Sequence, residues 1–166
     1  MVAVLAGRYG GTLRRGKERA LVAELRPRGR FLVVAFPQTY VNLSGESVGR
    51  LVRRYGVVHD LSRLVVVHDE LDLPSGRVKV KDGGGTAGHN GLESIRVHLH
   101  TGAFPRVRIG IGKPPGRQTG ADFVLRRPAK AERIDLDVAV DEAADAVECI
   151  LDHGVDVAMN RFNTVR

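Results

Sequence analysis

The chain has 166 residues, 43% of them hydrophobic, with 26 Lys and Arg against 19 Asp and Glu, one cysteine and no tryptophan. That length supports one core and not two, and a domain of this size buries roughly 70% of its unfolded surface, so it needs neither disulfides nor a structural metal to fold. The lone Cys149 excludes an intramolecular disulfide and a cysteine-built zinc site, and apolar runs of about six residues fall far short of the ~20 that cross a bilayer. Residues 1–7 are apolar but no basic segment precedes them, and the run is too short for a signal peptide core. The expectation is a cytoplasmic protein with no membrane association.

The net charge of +7 is uneven: residues 1–59 carry +8, residues 60–121 carry +3 and residues 122–166 carry −4. Cations gathered in the first two thirds suit a polyanion partner, because Lys and Arg gain affinity by displacing counterions condensed on phosphates. A basic surface that serves only solubility is the alternative.

Val2, Leu5, Ala6 and Tyr9 already have helical spacing, yet Met1 leaves no room for a cap or a preceding strand. In an α/β domain such a helix follows a strand, so about 20 to 30 residues of strand and loop are expected to be missing ahead of it. Residues 31–36 (FLVVAF) and 64–67 (LVVV) are continuous apolar runs, which predict central strands buried on both faces. Val48, Leu51, Val52 and Tyr55 fall at i, i+3, i+4 and i+7 and predict a helix with Ser44 as N-cap and Gly56 as C-cap. Residues 77–81 (RVKVK) and 106–111 (RVRIGI) alternate cations with Val and Ile, the pattern of half-exposed strands. Leu92, Ile95 and Leu99 mark a further helix, residues 113–120 a Pro- and Gly-rich loop, and Ala139, Ala143, Ala146, Val147 and Ile150 a long helix from about 131 to 151, stopped by Gly154. Strands alternating with helices imply an α/β sandwich.

Chemistry-bearing residues fall at the ends of these strands. Asp69, in HDELDLP, follows the run LVVV, where open α/β sheets bind ligands, and a carboxylate there can orient a histidine acting as general base. A turn with solvated acids is the alternative. Gly83, Gly85 and Gly88 make a literal G-x-G-x-x-G, but the dinucleotide reading needs an acid about 20 positions on, where Arg106 and Arg108 stand instead. The loop reads better as one that lets backbone approach a ligand and delivers His89 and Asn90 to a helix N-terminus, with simple N-capping by Asn90 as the alternative. Tyr40 and Asn42, in YVNLSG, bring a second amide to a strand end, suited to orienting a carbonyl but not to cleaving it, with N-capping again the alternative. Lys79, Lys81 and Arg108, with Arg77 and Arg106 in the same registers, form a phosphate clamp if their strands are neighbours and a solvated face if not. His98 and His100, two apart, cannot share a helix face, which argues against a metal site.

Taken together, YVNLSG, HDELDLPSG, KVKDGGGTAGHNGLESI, RVRIGIGKPPG, DFVL and MNRFN resemble the bacterial peptidyl-tRNA hydrolase family in order and spacing, over nearly the whole chain. The resemblance implies a single α/β/α sandwich over residues 1–166 with a mixed, mostly parallel sheet. It also implies a cytoplasmic monomer that hydrolyses the ester between peptide and tRNA, in translation and ribosome rescue, without metal or cofactor. By matching position Asn42 and Asn90 hold the peptide and the attacking water, with Tyr40 and His89 beside them; Asp69 orients the catalytic histidine, and Lys79, Lys81 and Arg108 grip a tRNA phosphate. The family opens with a Gly-Leu-Gly-Asn-Pro-Gly type loop and a Thr-Arg-His-Asn segment that supplies the general base, and neither is in this sequence. Val41 stands where methionine is usual and Ser75 where proline is common. The expectation is therefore an N-terminally incomplete domain without its general base, or alternatively a paralogue that binds tRNA without cutting it.

Overall fold

The structure is a computed structural model that describes residues 1–117 and 119–164; Gln118, inside the loop expected over 113–120, lies outside the described residues. Two units emerge, one made of Met1–Leu64 with Gly83–Phe104, the other of Val65–Asp82 with Pro105 onward.

In the first unit the helical spacing at the start becomes α1 (Val2–Arg8), which buries Leu5 and Ala6. The chain then forms an antiparallel sheet of β1 (Arg14–Arg15), β2 (Ala20–Leu25) and β3 (Leu32–Pro37) in the order β1-β2-β3, with Leu21 opposite Phe36 and Leu25 opposite Leu32. The run 31–36, expected at the centre of a sheet, has β2 as its one ladder partner among the described residues, and Phe31 and Phe36 are 42% and 55% exposed. An apolar run shows that a strand is favoured; its place in the order is set by a partner, here ALVAEL, whose residues favour helix on their own. A 3₁₀ turn at Val41–Leu43 leads into α2 (Ser44–Arg54). Ser44 is inside this helix and not its N-cap: Leu43 holds the cap position, and the Ser44 hydroxyl donates back to the Val41 carbonyl at 2.7 Å. Gly56, at φ +69°, stands just past the C-cap Tyr55. The second half of the unit is α3 (Asn90–Leu99), which lies so close to α2 that a Cβ on Gly45 would overlap the Ser94 carbonyl; the Gly45 N–H instead donates to Ser94 Oγ at 2.9 Å.

The second unit holds β4 (Val66–Glu70), β5 (Val78–Asp82) and β6 (Pro105–Gly110) in the order β4-β6-β5, with β4 parallel and β5 antiparallel to β6. Two expectations exchange places. β4, expected to be central, ends the order, and β6, expected to be half-exposed, is the middle strand, with Val107 at 0% and Arg106 at 2% exposure. Alternation of cation and valine shows that the two faces differ, not that either is wet, and a long arginine stem covers apolar surface as readily as it reaches water. Next come α4 (Gly120–Leu125), α5 (Lys130–His153) and α6 (Val155–Phe162). The long helix matches its predicted stripe, with Ala139, Ala143, Ala146, Val147 and Ile150 buried and Gly154 as C-cap. The turn after α6 is fastened to β5: the Asn163 amide donates to the Val80 carbonyl and its oxygen accepts from the Val80 N–H, both at 2.8 Å, while Arg77 donates to the Thr164 carbonyl at 2.7 Å.

These elements give the α/β class expected, with parallel pairing confined to β4 and β6 among the described strands. No helix among the described residues is long and apolar enough to cross a membrane.

Candidate functional site

The first unit brings the two asparagines onto adjoining elements. The 3₁₀ turn carrying Asn42 packs on the start of α3, where a Cβ on Gly91 would stand 3.2 Å from Val41 Cγ1. Asn42 and Asn90 are exposed, as is Tyr40 at 81%. The N-capping alternative fails for both amides. His89, not Asn90, caps α3, its Nδ1 accepting from the Leu92 N–H at 3.2 Å, and α2 starts with no side-chain cap bond. Asn90 is the first helical residue, where its side chain is not needed by the backbone and stays available to a ligand. The same bond fixes the tautomer of His89: an accepting Nδ1 leaves the ring proton on Nε2, which is the wrong form for a base at that atom.

The glycine loop before α3 has anchors that no sequence pattern announces. Thr86 Oγ1 donates to Glu93 Oε2 at 3.2 Å, and Arg96 Nε donates to the same oxygen at 3.0 Å. These bonds, the Arg96 hydrogen bond first, hold the Glu93 carboxyl below its ordinary value. The spacing from Thr86 to Glu93 crosses the loop into the helix, so no single-element periodicity reports it. Gly83, Gly85 and Gly88 do follow a strand and precede a helix, but β5 runs antiparallel to β6, whereas a dinucleotide fold needs the flanking strands parallel.

In the second unit β5 and β6 are neighbours, which sets the cations of the two strands side by side. Lys79 pairs with Arg108 and Lys81 with Arg106, while β4 sets His68 beside Arg108, so His68, Arg108 and Lys79 form a row across one face. Like charges directly opposite on neighbouring strands destabilise a sheet. Among the described residues Lys79, Lys81 and Arg108 have no acidic partner, and Arg108 Nε is buried without a hydrogen bond. Arg106 is the exception to the solvated-face pattern: burial first, and next the neighbouring Arg108 charge, lower its pKa from the ordinary value. Arg77, tied to Thr164, is taken out of the row. Asp69 pairs with Ile109, so by strand alternation it projects from the face opposite the cations, half-buried at the end of β4. The structure thus gathers Tyr40, Asn42, His89 and Asn90 on the first unit and Asp69, Lys79, Lys81 and Arg108 on the second. Among the described residues no group of three or more His, Cys, Asp or Glu is placed to hold a metal ion.

The family model described as peptidyl-tRNA hydrolase matches residues 1–166. Peptidyl-tRNA hydrolase of Rhodococcus erythropolis is 47% identical over 160 residues, which is 96% of this chain and 83% of the relative, and that of Frankia casuarinae is 47% identical over 165 residues, 99% and 83%. The crystal structure of the Acinetobacter baumannii peptidyl-tRNA hydrolase superposes with a TM-score of 0.90 at 34% identity, covering 99% of this chain and 83% of that one. The chain belongs to the peptidyl-tRNA hydrolase family, with the α/β fold of its solved members.

Proposed function

We propose that this chain acts in the cytoplasm as a peptidyl-tRNA hydrolase on peptidyl-tRNA released during translation. In this reading Asn42 and Asn90, with Tyr40 and His89 beside them, hold the peptide and the attacking water. Asp69 orients a histidine base, and Lys79, Lys81 and Arg108 take a phosphate of the tRNA. The observation that carries the RNA half is the pairing of Lys79 with Arg108. A sheet that sets cations opposite one another gives up stability, and an anion laid across the row returns it.

The ester-cleaving half rests on family membership and on two exposed amides with no backbone to cap. Such amides polarise and position but cannot take the proton from water; that is the work of a base, worth ~10² to 10⁴ in rate. The resemblance assigns that base to a histidine oriented by Asp69, and His89 is spent on its helix. The test is a turnover assay on peptidyl-tRNA with the parent beside its Asp69→Asn and Asn90→Ala variants. The expected result is tRNA binding by all three and turnover at least a hundredfold slower in the variants. Variant turnover within tenfold of the parent would reject these roles, and binding without turnover by the parent would favour a tRNA-binding paralogue.

A further inference from the structure

A second cationic feature lies on the first unit, where the β1-β2 hairpin meets α2. An open recess of ≈ 420 Å³ is lined by Arg15, Gly16, Lys17, Glu18 and Arg54. Its one carboxylate is already used: Glu18 is 7% exposed and accepts from Arg54 Nη1 at 3.0 Å, and Arg54 Nη2 stands 3.9 Å from Glu24 as well. Arg50 donates to the Lys17 carbonyl at 3.4 Å, which adds a fourth cation and fixes the hairpin to the helix. Arg15 and Lys17 carry no acidic partner among the described residues, and Arg15 is exposed. Counting Glu18 and Glu24, the recess keeps a surplus of two positive charges.

The hairpin is held in place by more than its own ladder. The Arg19 carbonyl accepts from the Gln38 N–H at 2.7 Å, and an Arg19–Glu46 ion pair joins it to the first turn of α2. The recess is therefore built onto the segment that leads through Tyr40 to Asn42. Gly16 lies tight against the Glu18 carboxylate, since a Cβ there would run into Oε2. A guanidinium and an ammonium on a fixed hairpin, with the local carboxylate neutralised, suit a phosphate. With Arg14 exposed on the same short strand, the charges suit a repeating polyanion better than a single small ion.

We propose that this recess holds an RNA backbone phosphate, as a grip separate from Lys79, Lys81 and Arg108. The proposal rests on the reading of the substrate as a tRNA ester and adds to it a second hold, on the unit that carries the two asparagines.

The experiment measures affinity of the full chain for deacylated tRNA as a function of salt. It compares the parent, the pair Arg15→Ala with Lys17→Ala, and the pair Lys79→Ala with Lys81→Ala. Neutralising one cation that binds a phosphate flattens the slope of log affinity against log salt by about one unit, so the recess pair is expected to lower the slope by about two units at an unchanged melting temperature. The charge-keeping pair Arg15→Lys with Lys17→Arg should retain the parent slope. A recess pair with the parent slope overturns the proposal, and if the Lys79 and Lys81 pair then still flattens it, the tRNA reading stands without the recess. Failure of the parent to bind tRNA overturns both. In a parallel titration with inorganic phosphate, followed at the Gly16 amide, saturation by phosphate but no response to tRNA would make the recess a small-anion site and reject the RNA assignment.

Discussion

At the scale of single residues, the division of labour between His89 and Asn90 decides how the loop before α3 is used. His89 closes the helix end through Nδ1, so its neighbour owes nothing to the backbone. Replacing His89 by Ala is expected to cost about 0.5 to 2 kcal/mol, the worth of an N-cap, whereas Asn90→Ala should stay within about 0.5 kcal/mol of the parent while weakening binding of a peptidyl-tRNA analogue. Paired urea melts and binding titrations separate the two effects, and equal destabilisation by both would put Asn90 back among structural residues. The sequence makes His-Asn visible but not which of the two caps, because both side chains are competent acceptors and one residue of offset settles it. Arg106 shows the same limit from the other side. Its spacing with Arg108 is plain, yet that spacing does not tell that one arginine is buried and the other half-exposed.

Among elements, the β5–β6 ladder sets like charges opposite one another and the glycine loop is anchored by a carboxylate. Lys79→Gln should stabilise the chain by a few tenths to about 1 kcal/mol by relieving the charge opposite Arg108, and at the same time lower its affinity for tRNA. Loss of stability instead, in a denaturant titration at low salt, would mean that the lysine stem matters more than its charge. The loop depends on pH through Glu93. Its folded pKa is depressed below the ordinary 4.5, so its contribution is present above the unfolded value and is lost as pH falls through the folded one. Amide exchange at residues 84–88 should therefore show less protection at pH about 3 than at about 6, once corrected for intrinsic exchange, and Glu93→Gln should remove the difference. α5 and α2 were legible because each repeats an apolar stripe over several turns, whereas the short α4 and α6 were not among the expected helices. β2 was not legible, since Ala, Leu and Glu favour helix until a partner such as β3 supplies the ladder.

For the molecule as a whole, the chain order of charge and motif was readable and the lateral order of strands was not, because no local pattern says which strand will have two neighbours. The charge partition has a thermal consequence. With +8 on residues 1–59 and −4 on residues 122–166, tRNA at a fixed concentration, about 100 times its low-salt dissociation constant, should add about 2.7 kcal/mol of stability at low salt and progressively less as salt rises. A melting shift independent of salt would argue against binding through phosphates. The sheet of the second unit ends on one side at β5, where Asn163 occupies both hydrogen-bonding groups of Val80. An amide that donates and accepts at that spacing does what a residue of an added strand would do. Asn163→Ala uncovers a donor and an acceptor on a strand edge, the template on which another chain can pair. The variant should show a sedimentation coefficient that grows with concentration beyond any growth in the parent. The turn after α6 is thus a stopper on sheet growth, and removing it would turn an intramolecular fastening into an address for a second copy of the chain.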